Sequence, residues 1–210
     1  MYSFFAYLSR LKLIDRWSLM RNTQRENDAE HSLQVAMIAH MIALIGVKRY
    51  RRDSDPEHIM TLAVYHDATE VLTGDLPTPV KYFNHKLRDS YHELESLAAE
   101  RLLHMLPEDL TDEMRPLLNQ EESYERTVVK AADRISAYLK CLEEQRAGNH
   151  EFDHAGENIL SSLETITLPE VKDFMDDFVP AFLLTLDELN DPHTFPSEGT
   201  LTDSEDLGKK

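Results

Sequence analysis

The sequence is poor in residues that several architectures depend on. Its 210 residues hold one cysteine, six glycines and one tryptophan. A lone Cys141 excludes an internal disulfide framework and fits a reducing compartment, so the expected location is the cytoplasm. Basic residues are also scarce: 22 Lys and Arg face 39 Asp and Glu, for a formal net charge of −17. Wrapping a nucleic-acid polymer or lying on an anionic membrane needs basic surface, so neither is an expected partner. Long apolar runs are missing as well. The longest uncharged stretch, residues 32–47, is interrupted by Gln34 and His40 and falls short of the roughly 20 residues of a spanning helix. The apolar patch Phe4-Phe5-Ala6-Tyr7-Leu8 has no basic residue before it and does not read as an export signal.

What is present is helical periodicity along most of the chain. Residues 2–13 put Phe4, Phe5, Leu8 and Leu11 on one face. Residues 28–46 carry Leu33, Ala36, Met37, His40, Met41, Leu44 and Ile45 at helical spacing, closed by Gly46. Asp55-Pro56 is a start signal for a helix running through Ile59, Leu62 and Ala63 to His66. Gly74, Pro77 and Pro79 then predict a loop over residues 73–80, where substrate contacts tend to be made. Further helices are predicted over 84–106, 108–119, 123–147, 152–166 and 169–189, the last kinked at Pro180. Residues 190–210 lose the periodicity and read as a disordered acidic tail. The expected fold is all-α: a single helical domain over 1–189, long enough to bury its own core.

Several polar residues stand where apolar ones belong. His66-Asp67 alone means little, because a chain this rich in both residues produces such a pair by chance. Its neighbours Leu62, Ala63, Val71 and Leu72 place it in a buried segment, and buried charges are costly unless paired or bound to a cation. His31 opens the most apolar helix, and Asp133 ends the apolar stretch from Val128 to Ala132. Two imidazoles and two carboxylates suit Mn, Co, Fe, Ni or Zn. Four such ligands leave coordination positions open, as a catalytic site requires. Glu70 follows Asp67 by three residues and His66 by four, on the same helical side, where it can handle the proton of an activated water. Taken by themselves, Arg16-Trp17 read as an amphipathic helix end and Asp75-Leu76-Pro77 as a cap and turn.

The order His31, His66-Asp67, Asp133 resembles the HD-domain metal-dependent phosphohydrolases and, more narrowly, the bacterial 5′-deoxynucleotidases. The distinctive stretches are residues 9–20 (SRLKLIDRWSLM), 30–36 (EHSLQVA), 65–82 (YHDATEVLTGDLPTPVKY) and 137–144 (AYLKCLEE). The resemblance implies a single divalent metal on His31, His66, Asp67 and Asp133, with Co2+ favoured and Mn2+ or another transition metal possible. It implies that Arg16 orients a phosphate, Trp17 packs near the sugar, and Asp75, Leu76, Pro77 and Thr78 contact the nucleotide, with His31, Asp67 and Asp133 also lining the substrate. Either Asp67 or Glu70 manages the proton. The implied substrates are deoxyribonucleoside 5′-monophosphates, and the implied assembly is a homodimer. A triphosphohydrolase, a cyclic-nucleotide phosphodiesterase and a non-catalytic nucleotide-binding module remain as alternatives.

Overall fold

The structure is a computed structural model. It describes residues 1–191, apart from Tyr82 and the side chains of Thr78 and Pro79. The tail expected over 190–210 falls almost entirely outside the described residues. Those residues contain helices and no strand, only one isolated antiparallel bridge between Asp15 and Asn27.

The centre is α2 (Asp28–Tyr50), opened by a capping box in which Asn27 accepts from the Ala29 and Glu30 amides while Glu30 accepts from the Asn27 amide. Around it pack α3 (Pro56–Val64), α8 (Tyr124–Arg146) and α10 (Pro169–Phe178). The core joins Val35, Ile38, Ala39, Ile42 and Ala43 of α2 to Ile59 and Leu62 of α3 and to Val128, Ala132, Ile135 and Leu139 of α8. Each fully buried Val, Leu or Ile in such a cluster stabilises the fold by about 1.5–3 kcal/mol. A second cluster joins Phe4 of α1 (Phe4–Leu8) to Leu102 and Leu103 of α6 (His85–Leu103). Tyr65, Val71 and Leu72 rest on it, so it supports the segment that follows α3. Between these lie α4 (Glu70–Thr73), α5 (Thr78–Lys81), α7 (Glu108–Leu118) and α9 (Asp153–Glu164), with α11 (Leu186–Leu189) after α10.

Several expected elements are corrected. The helix 2–13 is two pieces, α1 and a 3₁₀ turn at Leu11–Leu13, and Phe5 is exposed. In α2, Leu33 and Met37 face outward, because a helix apolar all round does not reveal its inner face by periodicity. Gly46 does not end α2. It sits where a Cβ would lie 2.7 Å from the Tyr124 hydroxyl, and the helix runs on to Tyr50 before Arg51 turns left-handed at φ 56°. The helix 169–189 is broken rather than kinked: α10 stops at Phe178, and Pro180 sits in a 3₁₀ turn, Val179–Leu183. The Asp55-Pro56 start is as expected, with the Asp55 carboxylate accepting from the Glu57 and His58 amides at 3.0 and 3.2 Å.

α2 has the length and composition of a membrane span, yet 56 % of its most apolar window is buried inside the bundle.

Candidate metal centre and active site

Three segments deliver the ligand-type residues. His31 stands in the second turn of α2, fully buried. Asp133 lies in the middle of α8, which packs against α2. His66 and Asp67 follow α3, but not on a continuing helix. The chain leaves α3 at Val64, and residues 65–69 form tight turns before α4 begins at Glu70. Glu70 therefore reaches the site through the turn, its amide donating to the Asp67 carbonyl at 2.9 Å, and not by the helical spacing expected.

Both imidazoles are held by one nitrogen. His66 Nδ1 lies 2.7 Å from the Ala63 carbonyl, so it carries the proton and leaves Nε2 as the lone-pair atom. His31 Nδ1 lies 3.0 Å from Ser136 Oγ, and Ser136 Oγ itself donates to Gln34 Oε1 at 2.6 Å. Ser136 has spent its proton on Gln34, so it accepts from His31 Nδ1 and frees His31 Nε2 in turn. The freed atoms converge. His31 Nε2 is 3.1 Å from Asp133 Oδ1 and 3.7 Å from Asp67 Oδ2, and His66 Nε2 is 3.0 Å from Asp67 Oδ2. Ligand atoms of His31, His66 and Asp133 lie within 4.8 Å of one another, the spacing of donors around one ion. His66 Nε2 is buried and makes no hydrogen bond despite its short approach to Asp67, as expected of two donors aimed at a shared third atom.

The electrostatics agree. Burial disfavours a charged His66, but the Asp67 and Asp133 carboxylates outweigh it and raise the imidazole to about 9. Burial likewise opposes charge on Asp67, yet His66, His31 and Arg16 hold it well below the usual carboxylate range. The field between the two rings thus favours positive charge. Imidazole and carboxylate donors of this kind fit a divalent transition metal.

Arg16 stands beside this cluster. Its Nη1 is 3.4 Å from Asp67 Oδ2 and 3.7 Å from Asp28 Oδ1, and its Nε is 3.5 Å from Glu26 Oε2. Trp17 donates from Nε1 to Glu26 Oε2 at 3.0 Å and sets its ring 5.3 Å from that of Phe152. The pair lies in the loop between residues 15 and 27, so the helix-end reading of Arg16-Trp17 does not hold. Trp17 has φ 56°, a left-handed backbone that is rare for a bulky residue and that a surrounding structure must enforce.

Glu70 is buried, and burial together with Asp67, Asp28 and Asp75 pushes its carboxyl up to about 11. Asp28, also buried, is pushed up to about 7, chiefly by burial. Asp75 is raised chiefly by burial, and the charges of Arg16, Asp67 and His31 act on it. It lies in the irregular segment after α4 with the half-buried Leu76 and Pro77, and Gly74 makes that turn at φ 74°. The Thr78 side chain is outside the described residues.

Sequence reading overlooked Glu26, Asp28, Ser136 and Gln34. Two signals were present: the Asn27–Glu30 capping-box pattern puts Asp28 in a first helical turn, and Ser136 follows Asp133 by one turn.

A helical bundle presenting this donor set between its core helices defines the class of HD-domain phosphohydrolases. An HD-domain phosphohydrolase from Listeria innocua superposes with a TM-score of 0.76 over 86 % of this chain and 88 % of its own, at 25 % identity. The cyanophage S-2L HD phosphohydrolase DatZ, solved bound to dA and one catalytic Zn2+ ion, shares the fold at a TM-score of 0.60 and 19 % identity, over 84 % of this chain and 95 % of its own. Within that class the chain belongs to the 5′-deoxynucleotidase YfbR-like family, whose model matches residues 3–182. The 5′-deoxynucleotidase YfbR of Escherichia coli O1:K1 is 52 % identical over 190 residues, covering 89 % of this chain and 95 % of the relative. The 5′-deoxynucleotidase of Vibrio atlanticus is 50 % identical over 192 residues, covering 89 % and 97 %.

Proposed function

We propose that this chain is a metal-dependent 5′-deoxynucleotidase that hydrolyses deoxyribonucleoside 5′-monophosphates to deoxyribonucleosides and phosphate. The observation that carries the reading is the pair of freed Nε2 atoms of His31 and His66, converging with Asp67 and Asp133 beside the Arg16 guanidinium.

His31, His66, Asp67 and Asp133 would hold one divalent cation. When bound, it supplies Lewis-acid polarisation of the phosphate and lowers the pKa of water at neutral pH. Arg16 orients the phosphate and stabilises the charge that builds on its oxygens in the transition state, a role its planar fork of donors suits better than a lysine ammonium. Glu70, buried next to Asp67 and Asp28, is the group placed to move a proton at the attacking water, with Asp67 as the alternative. Trp17 meets the sugar at C2′. Its ring offers no partner to a 2′-hydroxyl, and an unpaired buried hydroxyl costs roughly 1–3 kcal/mol. Asp75, with Leu76, Pro77 and Thr78, lines the nucleoside side, where Asp75 accepts from the 3′-hydroxyl.

The finer reading is Co2+ as the ion, as the resemblance implies, with Mn2+ or another transition metal as the alternative; the mixed nitrogen and oxygen donors suit any of them. It includes a homodimer, as the resemblance implies, and a cytoplasmic location, supported by the single buried and unpaired Cys141. Residues 1–189 act as one catalytic domain.

The test is phosphate release from matched deoxyribo- and ribonucleoside monophosphates, a deoxynucleoside triphosphate and a cyclic nucleotide, with bound metal measured on the same sample. Release is expected to be fastest from the deoxyribonucleoside monophosphate, with the ribonucleotide slower by about ten- to a hundredfold. Triphosphate or cyclic substrates turning over faster would reassign the reaction, and full activity in metal-free protein would remove the metal from it.

A further inference from the structure

The stretch at residues 137–144 carries two buried charged residues that the site does not use. Lys140 and Glu144, one turn apart on α8, are 5 % and 1 % exposed, and a buried ion pair is a costly thing to keep. Its surroundings show what it holds. Glu144 Oε2 accepts from the Thr23 amide at 2.9 Å, the Thr23 hydroxyl at 2.8 Å and Asn149 Nδ2 at 2.7 Å. Glu144 Oε1 accepts from the Gln24 amide at 3.3 Å and from the Lys140 ammonium, which also donates to the Gln24 carbonyl. Asn149 donates to the Arg21 carbonyl at 2.6 Å as well. Every one of these loop partners lies in the segment that carries Arg16 and Trp17.

That loop has few other anchors. Its base is pinched shut where the Arg16 amide donates to the Glu26 carbonyl at 3.0 Å and the Asp28 amide to the Ile14 carbonyl at 3.1 Å. Its middle has little core of its own, with Leu19 exposed. Yet Trp17 must be kept in a left-handed backbone. Two routes connect it to the buried pair. Asn22 Nδ2, next to Thr23, reaches the Trp17 carbonyl at 3.3 Å. Phe152, whose ring stands against Trp17, has the Lys140 ammonium 5.6 Å from its centroid.

We propose that Glu144, paired with Lys140, is a positioning residue for sugar selectivity: it clamps the tip of the 15–27 loop to α8 and so sets Trp17 at the nucleotide's C2′. Glu144 touches neither the ligand cluster nor the substrate, so its influence runs through Trp17. The selectivity half of the proposal rests on the reading of Trp17 under Proposed function; the clamping half does not.

Trp17 is the only tryptophan in the chain, so its fluorescence reports the loop directly. In full-length Glu144→Gln, Trp17 emission shifts to the red and acrylamide quenching rises, while bound metal per chain stays at the wild-type value. KM for the deoxyribonucleoside monophosphate rises about tenfold with kcat little changed, the pattern of a lost binding contact, and the deoxy-to-ribo ratio of kcat/KM falls. Glu144→Asp, which restores the charge, recovers part of both effects. A folded Glu144→Gln with unchanged fluorescence and quenching overturns the clamp. Shifted fluorescence with an unchanged deoxy-to-ribo ratio keeps the clamp and overturns both the selectivity role and the Trp17 reading beneath it. Should Glu144→Gln not fold, Asn149→Ala removes one donor from the same carboxylate. It is expected to move fluorescence and ratio in the same direction, and no change in either overturns the proposal.

Discussion

His31 shows how much of the proposed metal site lies outside its ligands. Its ring is oriented by Ser136, whose own proton goes to Gln34, and that relay leaves Nε2 as the donor atom. Ser136→Ala removes the acceptor at Nδ1 while leaving all four proposed ligands in place. Metal affinity, measured by chelator competition, is expected to fall about 10–100-fold, the range for groups that hold a ligand in position. Glu70 is the opposite case, a group proposed to serve the reacting water and not among the proposed ligands. Glu70→Ala is expected to lower kcat by about 10²–10⁴-fold with bound metal unchanged, as for loss of a general acid or base. An unchanged kcat at saturating nucleotide would leave proton movement to Asp67.

At the scale of the element, α2 decides more than its helical propensity does. Ala39, Ala43 and Gly46 on its buried side admit neighbours closely, and at Gly46 the neighbour is a cluster in which Tyr124 donates to buried Glu170 at 2.8 Å and Arg52 pairs with the same carboxylate at 3.0 Å. Exchange of a mid-helix glycine for alanine ordinarily stabilises a helix by up to about 1 kcal/mol. Here the new methyl meets the Tyr124 hydroxyl at 2.7 Å and the Arg52 side chain at 3.2 Å, so something must move. Gly46→Ala is therefore expected to destabilise the protein, by about 1–3 kcal/mol as for other overpacked sites, read from its urea midpoint. Increased stability would mean that the Tyr124 hydroxyl gives way at no cost.

For the whole molecule, two linkages set stability. A cation that binds only the folded chain stabilises it by mass action, about 2.7 kcal/mol at a concentration 100 times its Kd. Adding Co2+ or Mn2+ to chelator-treated protein is expected to raise Tm, and Asp133→Ala is expected to abolish the rise. The second linkage is to protons. Burial alone would raise the Glu144 carboxyl, but the Lys140 ammonium, Asn149 and Thr23 hold it down to about 2, against an ordinary 4.5. A depressed carboxyl stabilises the fold above its unfolded value, and that stability is lost as pH falls from 4.5 towards 2. The gap in urea midpoint between wild type and Glu144→Gln is expected to be full at neutral pH and to narrow across that window. A gap independent of pH would make the Glu144 contribution one of shape and not of charge.

The sequence by itself determined the elements whose signals are local. Asp55-Pro56 starts α3 because a side-chain acceptor and a proline act within one turn, and the helical periodicity of residues 123–147 makes α8. It also determined which residue types were out of place, because a histidine or aspartate in an apolar stretch is anomalous wherever the chain goes. Tertiary structure decided the rest. It chose which face of the uniformly apolar α2 is buried, since several faces would pack and only neighbours select one. It ended α3 at Val64, where no glycine or proline marks a stop, and folded the following turn so that Glu70 meets Asp28. It joined Thr23 to Glu144 across 121 residues, a contact no local pattern encodes, because it is made in part to the Thr23 and Gln24 backbone amides, and every sequence offers backbone.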